Sequence, residues 1–208
     1  MNSRVTIDEL QDQTHFRLLE EFEHDEIFKF LSIYYYKKHS WVIYFHFLLS
    51  FTSLCYWISF GIHSGYSLST WVVISGWSVI TMIVIIIPIH EILQLGIYKI
   101  LGVRRTRFYF SFKKIYALAF SYDFVFHPRE VYFASIIPFL FLNMVIAAAS
   151  VAWESTRFYF LAILGINIGA SSKDFAILNY YWLKRDKKLY SYNSSAGKSY
   201  IFEKISEE

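Results

Sequence analysis

Long stretches without charged residues constrain this chain more than any other feature. Of its 208 residues, 55% are hydrophobic, and the charged residues gather in segments 1–40, 99–130 and 184–208. A transmembrane helix needs about 20 predominantly apolar residues to cross the hydrocarbon of a bilayer. Four stretches are long enough, at 41–62, from 68 to beyond 90, at 131–153 and at 158–183. The sequence therefore predicts an all-α integral membrane protein with four transmembrane helices.

The distribution of Lys and Arg predicts how these helices are oriented. Cytoplasmic loops of membrane proteins are enriched in both residues. Lys37 and Lys38 precede the first stretch, the loop between the second and third is rich in basic residues, and four more open the tail after residue 183. The two remaining turns contain only Arg157. We therefore expect a multi-pass protein of the cell or inner membrane with both termini in the cytoplasm.

The segments outside the membrane divide into three parts. Residues 1–40 form a cytoplasmic N-terminal segment in which apolar residues recur with helical spacing, and this predicts an amphipathic helix. Within the membrane domain, 41–183, the loop at about 104–127 alternates aromatic and small or polar residues on either side of Lys113 and Lys114, which predicts a β-hairpin. Residues 184–208 form a cytoplasmic tail.

Composition also limits the possible partners. The single cysteine, Cys55, lies in an apolar stretch, so neither a disulfide framework nor a cysteine-based zinc site is available. The net charge of +3 does not indicate nucleic acid, because the basic residues are explained by membrane orientation. We expect membrane lipid as a partner, together with a membrane-associated protein or peptide substrate, and no nucleic acid.

Ionisable residues inside the apolar stretches are candidate functional residues, because an unpaired charge in a membrane is costly. They are His46, His90, Glu91, Lys173 and Asp174. His90 lies nine residues before Lys99, roughly 13 Å along a helix, and Asp174 lies ten residues before Lys184 on a helix that runs the same way. We therefore expect His90 and Asp174 at the same depth, with His46 close to that level.

The stretch PIHEILQLG contains most of a zinc peptidase motif. In an HExxH helix the two histidines share one face and hold Zn²⁺, while the glutamate takes a proton from the metal-bound water. Here His90 and Glu91 are in place, Gln94 stands at the second histidine position, and Asp174 supplies a third ligand of the right type. Pro88 removes a backbone hydrogen bond just before the motif and is expected to bend or loosen the helix.

Several segments of the chain resemble one family in the order in which they occur. PIHEILQLGIYKILG resembles the P-x-HE-x-x-H helix of the integral membrane proteins known as putative zincin peptidases, which are similar to site-2-type intramembrane metalloproteases. HPREVYFASIIPF, INIGASSKDFAILNYYWLK and the strand KSYIF resemble later segments of that family. The resemblance implies His90 and Asp174 as zinc ligands and Glu91 as the general base, and it places Gln94 where the family has its second histidine.

Several alternatives remain open at this point. His46 or His127 could replace the missing histidine, although neither shares its helical face. His90 and Glu91 could instead be polar residues that hold helices together, and Lys173 could pair with its neighbour Asp174. The sequence accordingly favours a zincin-like relative with an incomplete metal site. An active zinc peptidase with an unusual ligand set, a metal-free binding or assembly factor, and a transporter or channel subunit are the other hypotheses.

Overall fold

The computed structural model describes residues 4–111 and 116–205 of a mostly helical chain. Four helical segments are long and apolar enough to cross a membrane within this part of the chain: Trp41–His63, Leu68–Ile100, Pro128–Ala152 and Glu154–Leu183. The prediction of four such segments is confirmed. The helices are α1 (Ile7–Leu10), α2 (Ile27–Ser32), α3 (Trp41–His63), α4 (Leu68–Thr81), α5 (Ile87–Ile100), α6 (Pro128–Ala152), α7 (Arg157–Ala170) and α8 (Ser172–Leu183).

The second membrane segment is continuous but contains one wide turn. Between α4 and α5, residues Met82–Ile86 form a π-helix, in which the Ile87 backbone N–H donates to the carbonyl five residues back, at Met82. Pro88 follows directly and has no N–H to donate, so a normal α-helical bond is missing at this point in any case. The expected loosening of the helix before the HEILQ stretch therefore takes the form of a π-bulge.

The fourth membrane segment is the central one. It breaks at Ser171 into α7 and α8 and packs against α3, α4 and α6. Its most apolar part is 56% buried in the protein, against 17% for each of the first two segments. A helix surrounded by protein does not need a wholly apolar surface, and this explains how the fourth segment can carry the polar run NIGASSKD.

Strands outside the membrane correct two sequence predictions. The strand β1 (Phe16–Glu23) pairs with β5 (Lys198–Lys204), which also pairs with β4 (Leu189–Asn193), giving the antiparallel order β1-β5-β4. The prediction of an N-terminal amphipathic helix is therefore wrong across β1, although α1 and α2 are helical. The description of the fold as all-α is wrong for the same reason. Hydrogen bonds to β5 and the ion pair between Arg17 and Glu203, at 2.7 Å, favour the extended form.

The predicted hairpin is confirmed in its two strands, β2 (Arg105–Ser111) and β3 (Tyr116–Tyr122), which pair in antiparallel register. The turn with Lys113 and Lys114 lies outside the described residues. The short strand predicted for KSYIF is also confirmed, as part of β5. Because β1 and β5 are paired, both ends of the described chain lie on one side of the membrane domain. That this side is the cytoplasm stays a prediction.

Gly61 lies at a close approach between helices, in the half of the membrane domain away from the three-stranded sheet. A Cβ atom at Gly61 would clash with the Trp71 ring and would lie 2.7 Å from the Phe158 ring. Both rings pack edge to face on one another, so neither can move aside without disturbing its neighbour. The contact holds α3, α4 and α7 together.

We expect Gly61→Ala to lower the free energy of unfolding by about 1–3 kcal/mol, because the new methyl group overpacks this contact. Thermal unfolding in detergent would measure the effect. Gly76→Ala is the matched control, since nothing lies within 4 Å of a Cβ at position 76. The control should be neutral or slightly stabilising, because alanine favours helix over glycine. Equal losses in both variants would contradict the close packing at Gly61.

Candidate active site between the second and fourth membrane segments

His90 and Asp174 face each other where the second and fourth membrane segments meet. His90 lies in the first turn of α5, and Asp174 lies in the first turn of α8, just after the break at Ser171. The positive end of the α8 dipole favours a carboxylate at that position. His90 Nε2 is 3.3 Å from Asp174 Oδ2, and both side chains are almost fully buried. The predicted match in depth is confirmed.

The atoms of this pair that could bind a metal have no satisfactory hydrogen bonds. His90 Nε2 and both carboxylate oxygens of Asp174 are buried, and none finds a well-aligned partner among the described residues. Buried polar atoms are nearly always hydrogen-bonded, so an exception needs an explanation. A ligand, a cation or water between the two side chains would satisfy these atoms.

Glu91 is held by two donors. The Lys173 ammonium donates to Glu91 Oε1 in an ion pair, and the backbone N–H of Ala119 in β3 donates to Oε2 at 2.7 Å. The Glu91 side chain is 1% exposed. Both of its oxygens are therefore engaged, one by a positive charge from α8 and one by the hairpin. This arrangement stabilises the carboxylate and links β3 to the membrane helices.

Gln94 lies one turn after His90 on the same buried face of α5. It lines a cavity of about 150 Å³ together with Lys173, Asp174 and the outer edge of β3 around Ala119. A neutral amide oxygen is a weaker zinc ligand than an imidazole nitrogen. Gln94 therefore lies near Asp174, as the sequence predicts. Its role as a metal ligand stays a prediction.

A second cavity, of about 430 Å³, opens on the other side of the same residues. Its walls include His90, Glu91, Lys173, Asp174 and residues of α2 and the break between α7 and α8. Its volume lies in the range of small-molecule pockets. Lys173 and Asp174 line both cavities, whereas His90 and Glu91 line only the larger one, so the site is not a closed core.

His46 does not replace the missing histidine. Its Nε2 lies 2.7 Å from the carbonyl oxygen of Ile168, so this nitrogen must carry the proton that it donates. Its Nδ1 then accepts from the Tyr35 hydroxyl at 2.7 Å, and burial raises the pKa of Tyr35, which keeps that hydroxyl protonated. With both nitrogens engaged, His46 ties α3 to α7 and to the segment before the membrane.

His127 is also excluded from the metal position. It stands at the N-terminal cap of α6, where the Glu130 carboxylate accepts from the His127 backbone N–H at 2.9 Å. Its ring packs against Tyr190 of β4. The residue therefore belongs to the junction between α6 and the three-stranded sheet.

The residues at this position do not fit a conventional zinc site. Catalytic zinc takes three protein ligands from His, Cys, Asp and Glu and keeps a fourth position for water. His90 and Asp174 supply two, and no group of three such residues is arranged to hold a metal in the described ranges. Glu91 is engaged by Lys173, which also places a positive charge next to the position that a cation would occupy.

Sequence reasoning missed two contacts at this site. The sequence suggests Lys173 only as a partner for its neighbour Asp174, but Lys173 pairs with Glu91 on the other helix. The signal was available, because a buried lysine needs an acid at its own depth and Glu91 is adjacent to His90 in the chain. The contact between the Ala119 N–H and Glu91 could not be predicted, since the residue type does not indicate which side chain a backbone N–H will bind.

We expect Lys173→Met to lower the free energy of unfolding by about 3–5 kcal/mol, because it leaves the Glu91 carboxylate buried without its cation. Adding Glu91→Leu should recover most of that loss. Thermal unfolding in detergent of the two single variants and the double variant would give the coupling free energy. Lys184→Met is the control, since its ion pair with Glu20 is partly exposed and should contribute under about 1 kcal/mol. Additive losses would show that the two side chains are not coupled.

Comparison with known proteins gives one match. The model of a family described as putative zincin peptidase matches residues 83–189, which is just over half of the chain and includes α5, the hairpin, α6, α7 and α8. No curated protein and no solved structure matches the chain. The matched range contains each of the four ionisable residues of the site.

Proposed function

Because this chain belongs to the putative zincin peptidase family, we propose that it is a membrane metallopeptidase-like protein that no longer carries zinc and holds a peptide segment without cleaving it. Its partner is a membrane-associated protein. The proposal has two parts, the loss of the metal and the retention of a binding site, and a different observation supports each.

The observation that carries the proposal is the ion pair between Lys173 and Glu91. A general base must reach a metal-bound water, but the Glu91 carboxylate is engaged at both oxygens. Lys173 also brings its positive charge beside His90 and Asp174, where a divalent cation would be repelled. With Gln94 at the second histidine position, the site is one conventional ligand short and contains an internal cation.

The shape of the site supports retention of binding. The Ala119 N–H points away from β2 towards α5, so the outer edge of β3 faces the cavity that contains Gln94 and Asp174. An extended peptide that takes the place of Glu91 at this N–H can add to the edge through main-chain hydrogen bonds. Binding of this kind requires neither a metal nor a general base.

A second candidate function is an active zinc peptidase with the ligands His90, Gln94 and Asp174. His90 Nε2 and the Asp174 oxygens favour it, because they lie close to one another but make no well-aligned hydrogen bond among the described residues. In that case the bound zinc would supply a Lewis acid and an activated water. Lys173 would have to release Glu91 before that residue could act as a base.

Metal analysis of the purified protein separates the two candidates. We expect the wild-type protein, prepared from cells grown with zinc, to contain far less than one zinc per chain. The double variant Gln94→His, Lys173→Met should bind about one zinc per chain, because it completes the ligand set and removes the competing charge. Gln94→His alone should bind more weakly. Adding His90→Ala to the double variant is the control and should abolish binding.

One outcome would reverse the assignment. If the wild-type protein carries about one zinc per chain and loses it on His90→Ala or Asp174→Ala, the zinc peptidase is correct and the metal-free proposal is wrong. The unfolding transition of each variant should be measured alongside, so that loss of metal is not confused with loss of fold.

A further inference from the structure

An apolar crevice lies between α3, α6 and α8, on the side of α8 away from the hairpin. Its volume is about 450 Å³, and its walls are formed by aromatic and aliphatic side chains such as Phe45, Ile136, Leu140 and Leu178. Phe45 and Leu140 are about half exposed, so the crevice opens sideways towards the position of the lipid. None of the contacts of the proposed peptide site involves these residues.

The crevice runs along α8 from the membrane surface inwards. Its outer end is at Arg185 and Trp182, and its inner end is at Asp174. Trp182 and Asp174 are eight residues apart, which corresponds to roughly 12 Å of helix. Trp41 of α3 packs edge to face on Trp182, with ring centroids 5.0 Å apart. Paired tryptophans are typical of the interface between hydrocarbon and headgroups.

Arg185 places a positive charge at the outer end. Its guanidinium lies over the Trp182 ring at 4.8 Å, and Nη1 donates to the Trp182 carbonyl at 3.1 Å. No carboxylate lies within ion-pair distance of Arg185 in the two described ranges. Its neighbours differ, since Lys184 pairs with Glu20 and Lys187 pairs with Glu203. The remaining donors of Arg185 are therefore available to an anion.

We propose that this crevice is a binding site for one anionic phospholipid, with an acyl chain between α3, α6 and α8 and the phosphate on Arg185. A guanidinium binds phosphate through two parallel hydrogen bonds, and basic pockets between membrane helices are typical sites for anionic headgroups. The lining offers almost no groups to a peptide backbone, whose N–H and C=O groups would stay unsatisfied unless the peptide were helical. A helix about 10–12 Å across would occupy more than the roughly 450 Å³ of the crevice over the length between Trp182 and Asp174.

The test is native mass spectrometry of the full-length protein, delipidated in neutral detergent and then mixed with either phosphatidylglycerol or phosphatidylcholine. We expect one phosphatidylglycerol to stay bound, with phosphatidylcholine bound at least about tenfold more weakly. Arg185→Gln should weaken the phosphatidylglycerol complex about tenfold, as the loss of one charge-assisted contact predicts. Soluble glycerol phosphate should not compete, because it lacks the acyl chain.

Two further variants distinguish binding in the crevice from general attraction of an anionic lipid to a basic surface. Ile136→Trp fills the crevice and should abolish retention of the lipid while Arg185 is intact. Arg104→Gln removes a basic residue outside the crevice and should leave binding unchanged.

Equal binding of the two lipids, an equal loss in Arg104→Gln, or unchanged binding in Ile136→Trp would each overturn the proposal. A cross-link from position 45 to a co-purified peptide, rather than to a lipid, would overturn the proposal as well. None of these outcomes depends on the zinc content of the protein.

Discussion

Charge in a membrane must be neutralised within the protein, and this constraint organises the whole domain. Two acids, a lysine and a histidine lie together where the second and fourth membrane segments meet. Each pair joins one helix to the other, since His90 and Glu91 come from α5 and their partners from α8. Moving either helix along its axis would separate the opposite charges of Lys173 and Glu91 in a medium of low dielectric, where this is most costly, and would pull His90 away from Asp174. The pairs therefore fix the relative height of the two segments.

The same constraint explains the order of the helices around the centre. The segment that carries Lys173 and Asp174 is the most enclosed of the four, and the others shield it from lipid. The break at Ser171 and the wide turn at Met82–Ile86 are at similar places, next to the charged cluster. Irregular backbone inside a membrane is tolerated where it is buried in protein or lines a cavity, and both conditions hold here.

The sequence predicts those features that the membrane itself imposes. The four segments follow from apolar length, and the meeting of His90 with Asp174 follows from their equal distance to flanking basic residues. The strand β1 could not be predicted in the same way, because its partner lies about 180 residues away and its own pattern suits a helix as well. The pairing of Lys173 with Glu91 was missed because it depends on which faces of two distant helices meet. The replacement of the second histidine by Gln94 is visible in the sequence. The engagement of both Glu91 oxygens is not, because one of the donors is a backbone N–H of the hairpin.

The pairing of the first strand with the last has a consequence for how the protein is made. Phe16 stands opposite Lys204 and Glu23 opposite Lys198, so β1 leaves the ribosome long before its partner exists. All four membrane segments lie between the two strands in the chain. The N-terminal segment therefore waits in an unpaired state during synthesis, and contacts of such long sequence separation form slowly. The three-stranded sheet can therefore close only after all four membrane segments have been synthesised.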